Sequence, residues 1–202
     1  MTSIYPIVEG HGEVQAVPVL LRRVASEICD RYVEILSPHR VSRGKMVAQD
    51  ARALQSAVAL GVLKIAQTGT PGVILILLDA DDDCPAELGP RLLRQISRPD
   101  VLAGVVIAKR EYEAWFLAGA QSLRGHRRVS DTAVPPVDPE SIRGAKQHLE
   151  RHVLAPGATY QETVDQPAFT AVLGLEEARA APSFDKLCRD LCRLLLTVPA
   201  NQ

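Results

Sequence analysis

Apolar residues recur with two alternating periods along the first 122 residues. Short, almost continuous apolar runs alternate with longer stretches whose apolar residues return every three or four positions. The short runs are typical of strands buried on both faces of a parallel sheet, and the longer stretches are typical of amphipathic helices. The pattern therefore predicts an α/β fold of the Rossmann-like kind, with about four parallel strands flanked by helices.

Strands and helices are predicted in strict alternation over this region. The strands are the segments 3–10, 32–41, 73–79 and 101–110. The helices are the segments 11–31, 46–67, 84–97 and 111–123. Loops are predicted at 42–45, SRGK, and at 68–72, TGTPG. Because a helix follows each strand, consecutive strands are expected to lie parallel.

The composition changes after residue 122. Segment 124–140 is rich in Arg, Pro and Asp, which predicts a loop. Three helices are predicted beyond it, in the segments 140–153, 166–180 and 183–196. The sequence therefore predicts an α/β domain of residues 1–122 and a C-terminal helical extension of residues 123–202 that packs on the sheet.

The composition is that of a globular protein with little net charge. Of the 202 residues, 47% are hydrophobic and 23% are charged, and the formal net charge is −1. This balance excludes a basic surface over the whole molecule. No signal peptide is recognised, and no apolar run approaches the roughly 20 residues of a membrane helix. The four cysteines show no CxxC pair, so we expect reduced thiols in a cytoplasmic protein without membrane contact.

Carboxylates follow the predicted ends of three strands. They come in pairs: Glu9 and Glu13, Asp79 and Asp81, Glu111 and Glu113. Because the carboxyl ends of parallel strands meet at one edge of a sheet, these side chains are expected to converge, and a hard divalent cation would relieve their repulsion. Glu111 and Glu113 would face different ways on a helix, and we choose Glu113 as the ligand. For Asp82 and Asp83 the alternative is capping of the next helix.

These residues resemble the Toprim fold, in which a Glu ends the first strand and a DxD motif ends the third. The matching words are VEGHGE at 8–13 and LLDADDD at 77–83. Further words, in the order REYEAWFLA, GAKQHLE, ATYQETVDQPAF and APSFDKL, are similar to an uncharacterised family of small bacterial Toprim-like proteins, domain of unknown function 4276. The resemblance covers nearly the whole chain. It implies a Toprim-like domain related to that of the overcoming-lysogenization-defect (OLD) nucleases.

The resemblance also implies roles for individual residues. Glu9 would act as general acid–base and as a metal ligand. The metal ligands would be Glu9, Asp79, Asp81 and Glu113, holding one or two Mg²⁺ or Mn²⁺ ions. Glu13 would complete the ExxxE motif seen in OLD nucleases. Lys109 and Arg110 are candidates for the basic residue near their last acidic motif, and we choose Lys109.

Basic residues near the strand ends are candidates for binding the nucleic-acid backbone. They are Arg43, Lys45 and Arg110, and simple solvation of these side chains is the alternative. Lys146, in GAKQHLE, would either help at the site or hold the extension to it. The resemblance further implies phage defence beside a partner ATPase, and a homodimer is a further expectation.

Three functions are weighed. The first is a metal-dependent nuclease or related phosphotransfer enzyme acting on DNA or RNA. A phosphatase with a DxD nucleophile ranks well below it, because the motif follows the third strand and Asp83 stands where a Thr is expected. The alternative from another class is a non-catalytic Toprim-like subunit that docks an ATPase. The intact set of Glu9, Asp79 and Asp81 argues against a degenerate site.

Overall fold

The computed structural model describes residues 1–198 and contains one parallel sheet of five strands. The strands are β1 (Thr2–Val8), β2 (Val33–Ile35), β3 (His39–Arg40), β4 (Gly72–Asp79) and β5 (Leu102–Ala108). Their order across the sheet is β2-β1-β4-β5, and β3 also pairs with β1. Every pairing is parallel, as the alternation of strands and helices predicted.

The second predicted strand is divided in two. Thr2–Ile4 of β1 pairs with β2, and Ile7–Val8 pairs with β3. Pro38 stands between the two pieces and has no N–H to donate to a ladder. The predicted strand 32–41 therefore pairs with β1 as two short strands that are separated at residues 36–38.

Nine α-helices are assigned within residues 1–198. They are α1 (Glu13–Arg23), α2 (Arg43–Met46), α3 (Arg52–Thr68), α4 (Pro85–Ile96), α5 (Glu113–Ala118), α6 (Ala145–His148), α7 (Glu162–Val172), α8 (Leu175–Ala178) and α9 (Pro182–Thr197). Short 3₁₀ turns span Ala120–Leu123 and Pro139–Ser141, and wider π turns span Val24–Ile28 and Leu149–Val153.

Several helix boundaries differ from the predicted ones. The predicted loop 42–45 contains most of α2, and α3 begins only at Arg52 because Ala51 has φ 50° in the left-handed region. The predicted helix 166–180 begins earlier and is divided at Leu173–Gly174 into α7 and α8. Apolar spacing locates a helical segment well but says little about where the backbone leaves the helical region.

The sheet is covered on both faces, and β4 shows this most clearly. Val73, Leu75 and Leu77 belong to one core with α1, α5 and the C-terminal helices. The intervening Ile74, Ile76 and Leu78 belong to the other core, with α3 and α4. All six side chains are fully buried, which explains why the strand lacks polar alternation.

The C-terminal helices share the first of these cores. Trp115 of α5 is fully buried, lies 5.3 Å from the ring of Phe184 between centroids, and donates from Nε1 to Ser183 Oγ at 2.8 Å. Phe169 of α7 packs edge-on against Phe116. The segment after residue 122 thus packs against one face of the sheet and shares its core. The domain boundary at residue 122 stays a prediction.

The cysteines correct the expectation of four reduced thiols. Cys29, the residue after the π turn Val24–Ile28, forms a disulfide with Cys192 of α9 across 163 residues of sequence. Cys84 is an exposed thiol and Cys188 is a buried one. Sequence spacing could not reveal this pairing, because the fold alone brings such distant segments together.

Over residues 1–198, no helix combines the length and the apolar character needed to span a bilayer.

Candidate active site at the carboxyl edge of the sheet

The carboxylates gather where the strand order reverses. β1 and β4 are neighbours, and the chain leaves them towards opposite edges of the sheet, which is the position where open α/β sheets bind ligands. Glu9 follows β1, and Asp79 is the last residue of β4. These two residues are in direct contact, because the N–H of Asp79 donates to Glu9 Oε2 at 3.4 Å.

Glu13 is fixed by the loop that precedes it. As the first residue of α1 it folds back, and its Oε2 accepts the N–H groups of Glu9 at 2.8 Å and of Gly10 at 3.0 Å. The residue is only 3% exposed. Burial raises the pKa of Glu13 to about 7, the two backbone hydrogen bonds oppose this, and the charges of Glu9 and Glu113 add to it.

The same loop is pressed against α7 at Gly12. A Cβ there would lie 2.2 Å from Gln166 Oε1 and 3.0 Å from the carbonyl oxygen of Glu162. Only glycine fits such an approach without a shift of its neighbours. The Gly12 N–H also donates to Glu162 Oε1 at 3.4 Å, so the strand-end loop and the C-terminal helices are assembled as one unit.

Asp79 is held by the chain that follows β5. Its Oδ1 accepts the N–H of Tyr112 at 2.8 Å, one residue before α5. Burial raises the pKa of Asp79 well above its ordinary value, and the carboxylates of Glu13, Glu113 and Glu9 raise it further, in that order. These mutual effects show that the four carboxylates act on one another across a common space.

Glu113 is the most deeply buried of the four. It is 0% exposed, and its Oε1 accepts the hydroxyl of Tyr160 at 3.0 Å and Nε2 of Gln166 at 3.4 Å. Its Oε2 has no hydrogen-bond partner among the described residues. Burial raises the pKa of Glu113 to about 7, although the charge of Lys146 opposes the rise. A buried carboxylate oxygen without a donor is an acceptor that a cation would satisfy.

Lys146 supplies positive charge on this side of the site. Its Nζ lies 2.6 Å from Glu162 Oε2 and 3.9 Å from Glu113 Oε1. The start of its own helix, α6, is bound to Glu111, whose two carboxylate oxygens accept the N–H groups of Ala145 and Lys146 at 3.2 and 3.4 Å. Glu111 is therefore engaged with the extension, whereas Glu113 points into the carboxylate cluster.

The aspartates after β4 are paired with arginines. Arg43 of α2 reaches Asp81 Oδ2 from Nε at 2.9 Å and Asp83 Oδ2 from NH2 at 2.5 Å, and it donates to the carbonyl oxygens of Asp79 and Ala80. Asp81 itself has φ 49° and a side chain that is 57% exposed. Its carboxylate thus faces a guanidinium at the rim of the carboxylate cluster.

Asp82 binds two further arginines. Arg110 NH1 lies 2.7 Å and Arg143 NH2 lies 2.8 Å from Asp82 Oδ1. Together with Arg43 these arginines supply positive charge beside the run of acids at residues 79–83. Of the residues predicted to bind nucleic acid, Arg43 and Arg110 are engaged with aspartates in this way.

Two lysines that the sequence analysis singled out, Lys45 and Lys109, take no part in these ion pairs between arginines and aspartates. Lys45 is exposed on α2. Lys109 is exposed as well, its N–H donates to Ser183 Oγ at 3.2 Å, and its side chain borders a groove between α4 and α9. The structure therefore brings together Glu9, Glu13, Asp79 and Glu113, leaves Asp81 with Arg43, and sets Lys109 on another surface. The proposed roles of these residues stay predictions.

The donor set fits a hard divalent cation in its chemistry. Carboxylate oxygens are the ligands that Mg²⁺ and Mn²⁺ prefer, and Glu113 Oε2 is buried without a partner. Within residues 1–198, however, no three acidic, His or Cys side chains are already placed to hold one ion together. The contacts explain why: Asp81 is paired with Arg43, and Glu13 is bound to backbone N–H groups. Binding of an ion would require side chains to turn.

The sequence alone assigns no role to three residues of the site. Tyr160, Glu162 and Gln166 reach the carboxylate cluster from the segment before and within α7. All three lie in the word ATYQETVDQPAF, so the resemblance marked the segment without indicating what its polar residues do.

Comparisons with known proteins give two solved structures that are similar over nearly their full length. The C-terminal region of the Burkholderia pseudomallei OLD protein is 16% identical, with a TM-score of 0.46, over 95% of this chain and 99% of that chain. The C-terminal region of the Xanthomonas campestris pv. campestris OLD protein is 17% identical, with a TM-score of 0.40, over 96% of this chain and 97% of that chain. No curated protein matches the sequence.

A family model gives the assignment. The model described as domain of unknown function (DUF4276) matches residues 8–192. That range contains all four clustered carboxylates, the arginine-bound aspartates and the C-terminal helices that complete the site. The chain belongs to the DUF4276 family.

Proposed function

We propose that this protein is a metal-dependent hydrolase of nucleic-acid phosphodiester bonds. The observation that supports this most is the cluster of Glu9, Glu13, Asp79 and Glu113 at the point where strand order reverses. Each of the four has a raised pKa, with burial as the main cause. Glu13 and Glu113 are buried and Glu9 and Asp79 are half-buried. Such a cluster of carboxylates is costly for the protein alone, and a divalent cation would offset that cost.

Glu9, Asp79 and Glu113 would hold the ion, and Asp81 would join them on leaving Arg43. A bound Mg²⁺ or Mn²⁺ would supply Lewis-acid stabilisation of a phosphate oxygen and an acidified water. Residues of the chain itself would move the proton. Glu13 is positioned by the Glu9 and Gly10 N–H groups to accept or hold a proton at its carboxylate.

Basic groups beside the carboxylates would position the substrate. Lys146 faces the cluster from the extension. The Nε of Arg43 would be free to contact a backbone phosphate once Asp81 turned to the metal, while its NH2 kept Asp83. Arg110 would contribute in the same way after release from Asp82. A Toprim relationship, a role in phage defence and a partner ATPase are part of this proposal and follow from the sequence resemblance, and a homodimer is a further part of it.

Cleavage of plasmid DNA and of single-stranded RNA tests the proposal. Purified protein is incubated with each substrate and Mg²⁺, Mn²⁺ or a chelator. We expect cleavage with metal and none with chelator, and loss of cleavage in Asp79→Asn, which keeps the acceptor for the Tyr112 N–H. Glu87→Gln, an exposed acid on α4, is the matched control and should stay active.

The second candidate is a non-catalytic subunit that docks a partner ATPase. The ion pairs of Arg43 with Asp81 and Asp83 favour it, since they balance these acids without any metal. Absence of metal-dependent cleavage on both substrates, with the protein folded, would favour this candidate over the first.

A further inference from the structure

The open edge of the sheet forms a groove that the proposed chemistry does not use. Within the described part of the chain, β5 ends the sheet and pairs with β4 alone. Helices α4 and α9 both pack against β5. Between them lies a cavity of about 420 Å³, which Ala86, Gly89 and Leu93 border from α4 and Ser183 borders from α9. An edge strand is therefore the floor of this groove, and two helices are its walls.

Main-chain groups of alternate β5 residues face the groove. The carbonyl of Ala108 accepts the N–H of Ala80, the residue after β4, so the main chain of Ala108 is directed towards β4. Because this direction alternates along a strand, the N–H and C=O groups of Ala103, Val105 and Ile107 are directed to the open side. All three of these residues border the cavity.

Among the described residues, a side chain of the protein itself occupies one end of this row. The N–H of Lys109, the next outward group, donates to Ser183 Oγ at 3.2 Å. Ser183 is held in place by Glu140, whose Oε1 accepts its N–H at 2.8 Å. Ser183 thus occupies the place that an acceptor on an added strand would take. Over residues 1–198, no side chain takes the corresponding place at the positions before Lys109.

Apart from the flanking helices α4 and α9, the edge lacks the usual protection against strand pairing. Exposed edges are normally blunted by charges, proline, bulges or short length. β5 reads LAGVVIA over seven residues and contains neither charge nor proline. The opposite edge shows the contrast, since it is divided into β2 of three residues and β3 of two.

We propose that this groove binds an extended segment of a partner protein, which adds a strand to β5. An extended chain presents N–H and C=O groups that match the row on β5, and its alternate side chains would enter the apolar walls. A second copy of this chain fits poorly, because its own β5 is recessed between two helices in the same way.

Charge at the rim indicates the character of the segment. Three basic and two acidic residues border the groove: Lys109, Lys186, Arg193, Glu140 and Asp190. Asp190 is paired with Lys186 and Arg193, and Glu140 is buried against Ser183. Within residues 1–198 Lys109 is left without an ion pair, and the proposed segment is an apolar strand with an acidic residue at the end that meets Lys109.

Selection from a phage-displayed library of random dodecapeptides tests the proposal. Peptides are selected on the wild-type protein alone, and their affinities are then measured for Ala86→Trp, which fills the groove from an exposed position. Glu87→Trp, the exposed neighbour outside the groove, is the matched control. We expect peptides with alternating apolar residues and an acidic residue, bound at least about tenfold more weakly by Ala86→Trp than by wild type or Glu87→Trp.

Backbone N-methylation distinguishes strand addition from capture in an apolar pocket. Methylation of alternate amides in a selected peptide should abolish its binding, because the hydrogen bonds to β5 would be lost. Equal binding of the methylated peptide would overturn the proposal, as would failure to select any peptide. A dimer in sedimentation that Ala86→Trp dissociates would also overturn it, in favour of a second copy.

Discussion

Replacement of Glu113 by Gln should stabilise the metal-free protein at high pH and leave its stability nearly unchanged at low pH. Burial raises the pKa of Glu113 from its ordinary 4.5 to about 7. The folded state therefore holds the proton more tightly than the unfolded state. No penalty exists below pH 4.5, a penalty builds as the pH rises towards 7, and it is complete above pH 7.

The size of this penalty follows from the pKa values. Each tenfold change in proton affinity corresponds to about 1.4 kcal/mol, so a rise from 4.5 to about 7 corresponds to roughly 3 kcal/mol. Gln keeps an acceptor for the Tyr160 hydroxyl and does not ionise. Lys146 loses one of its two carboxylate partners but keeps Glu162, which reduces the gain by a fraction of this amount.

Urea denaturation in a chelator between pH 5 and pH 8 measures the effect. The free energy of unfolding of Glu113→Gln should exceed that of wild type at pH 8 by about 2 kcal/mol and approach it at pH 5. Glu87→Gln makes the same chemical change on the surface and should follow the wild-type curve. If Glu113→Gln shifts the stability equally at both pH values, the buried carboxylate is not the source of the pH dependence.

Two further predictions concern the packing around the site and the cysteines. Gly12→Ala should destabilise the protein by about 1–3 kcal/mol in urea, because its Cβ would lie 2.2 Å from Gln166 Oε1 and 3.0 Å from the backbone carbonyl oxygen of Glu162. Gly44→Ala, where the added Cβ meets nothing within 4 Å, should cost little, and equal effects of the two would contradict this reasoning. Alkylation of the native protein without reductant should modify Cys84 and spare Cys29 and Cys192, and mass spectrometry that finds either of these two alkylated would argue against the disulfide.

The sheet and the gathering of the carboxylates could be predicted from the sequence. The run VILILL has no polar alternation because its side chains are buried on both faces. Once the strands are parallel, Glu9 and Asp79 must follow their carboxyl ends at one edge. These conclusions depend on periodicity and on the position of acids relative to strands, and both are local properties of the chain.

The contacts that decide the state of each carboxylate could not be predicted in the same way. Asp81 turns to Arg43 because its backbone adopts φ 49° and because α2 forms where a loop was predicted. Gly12 meets Glu162 across 150 residues, and the disulfide joins equally distant segments. Such pairings arise from how the C-terminal helices dock, which no local pattern encodes.

Calorimetric titration of Mn²⁺ into the metal-free protein tests most directly whether the carboxylate cluster is a metal site. We expect heat of binding in the wild type and in Glu87→Gln, and its loss in Asp79→Asn, which removes one charge while keeping the hydrogen bond from Tyr112. Binding of Mn²⁺ that Asp79→Asn leaves unchanged would place the ion elsewhere. No binding to the folded wild type would contradict the metal site and leave the acids balanced by Lys146 and the arginines.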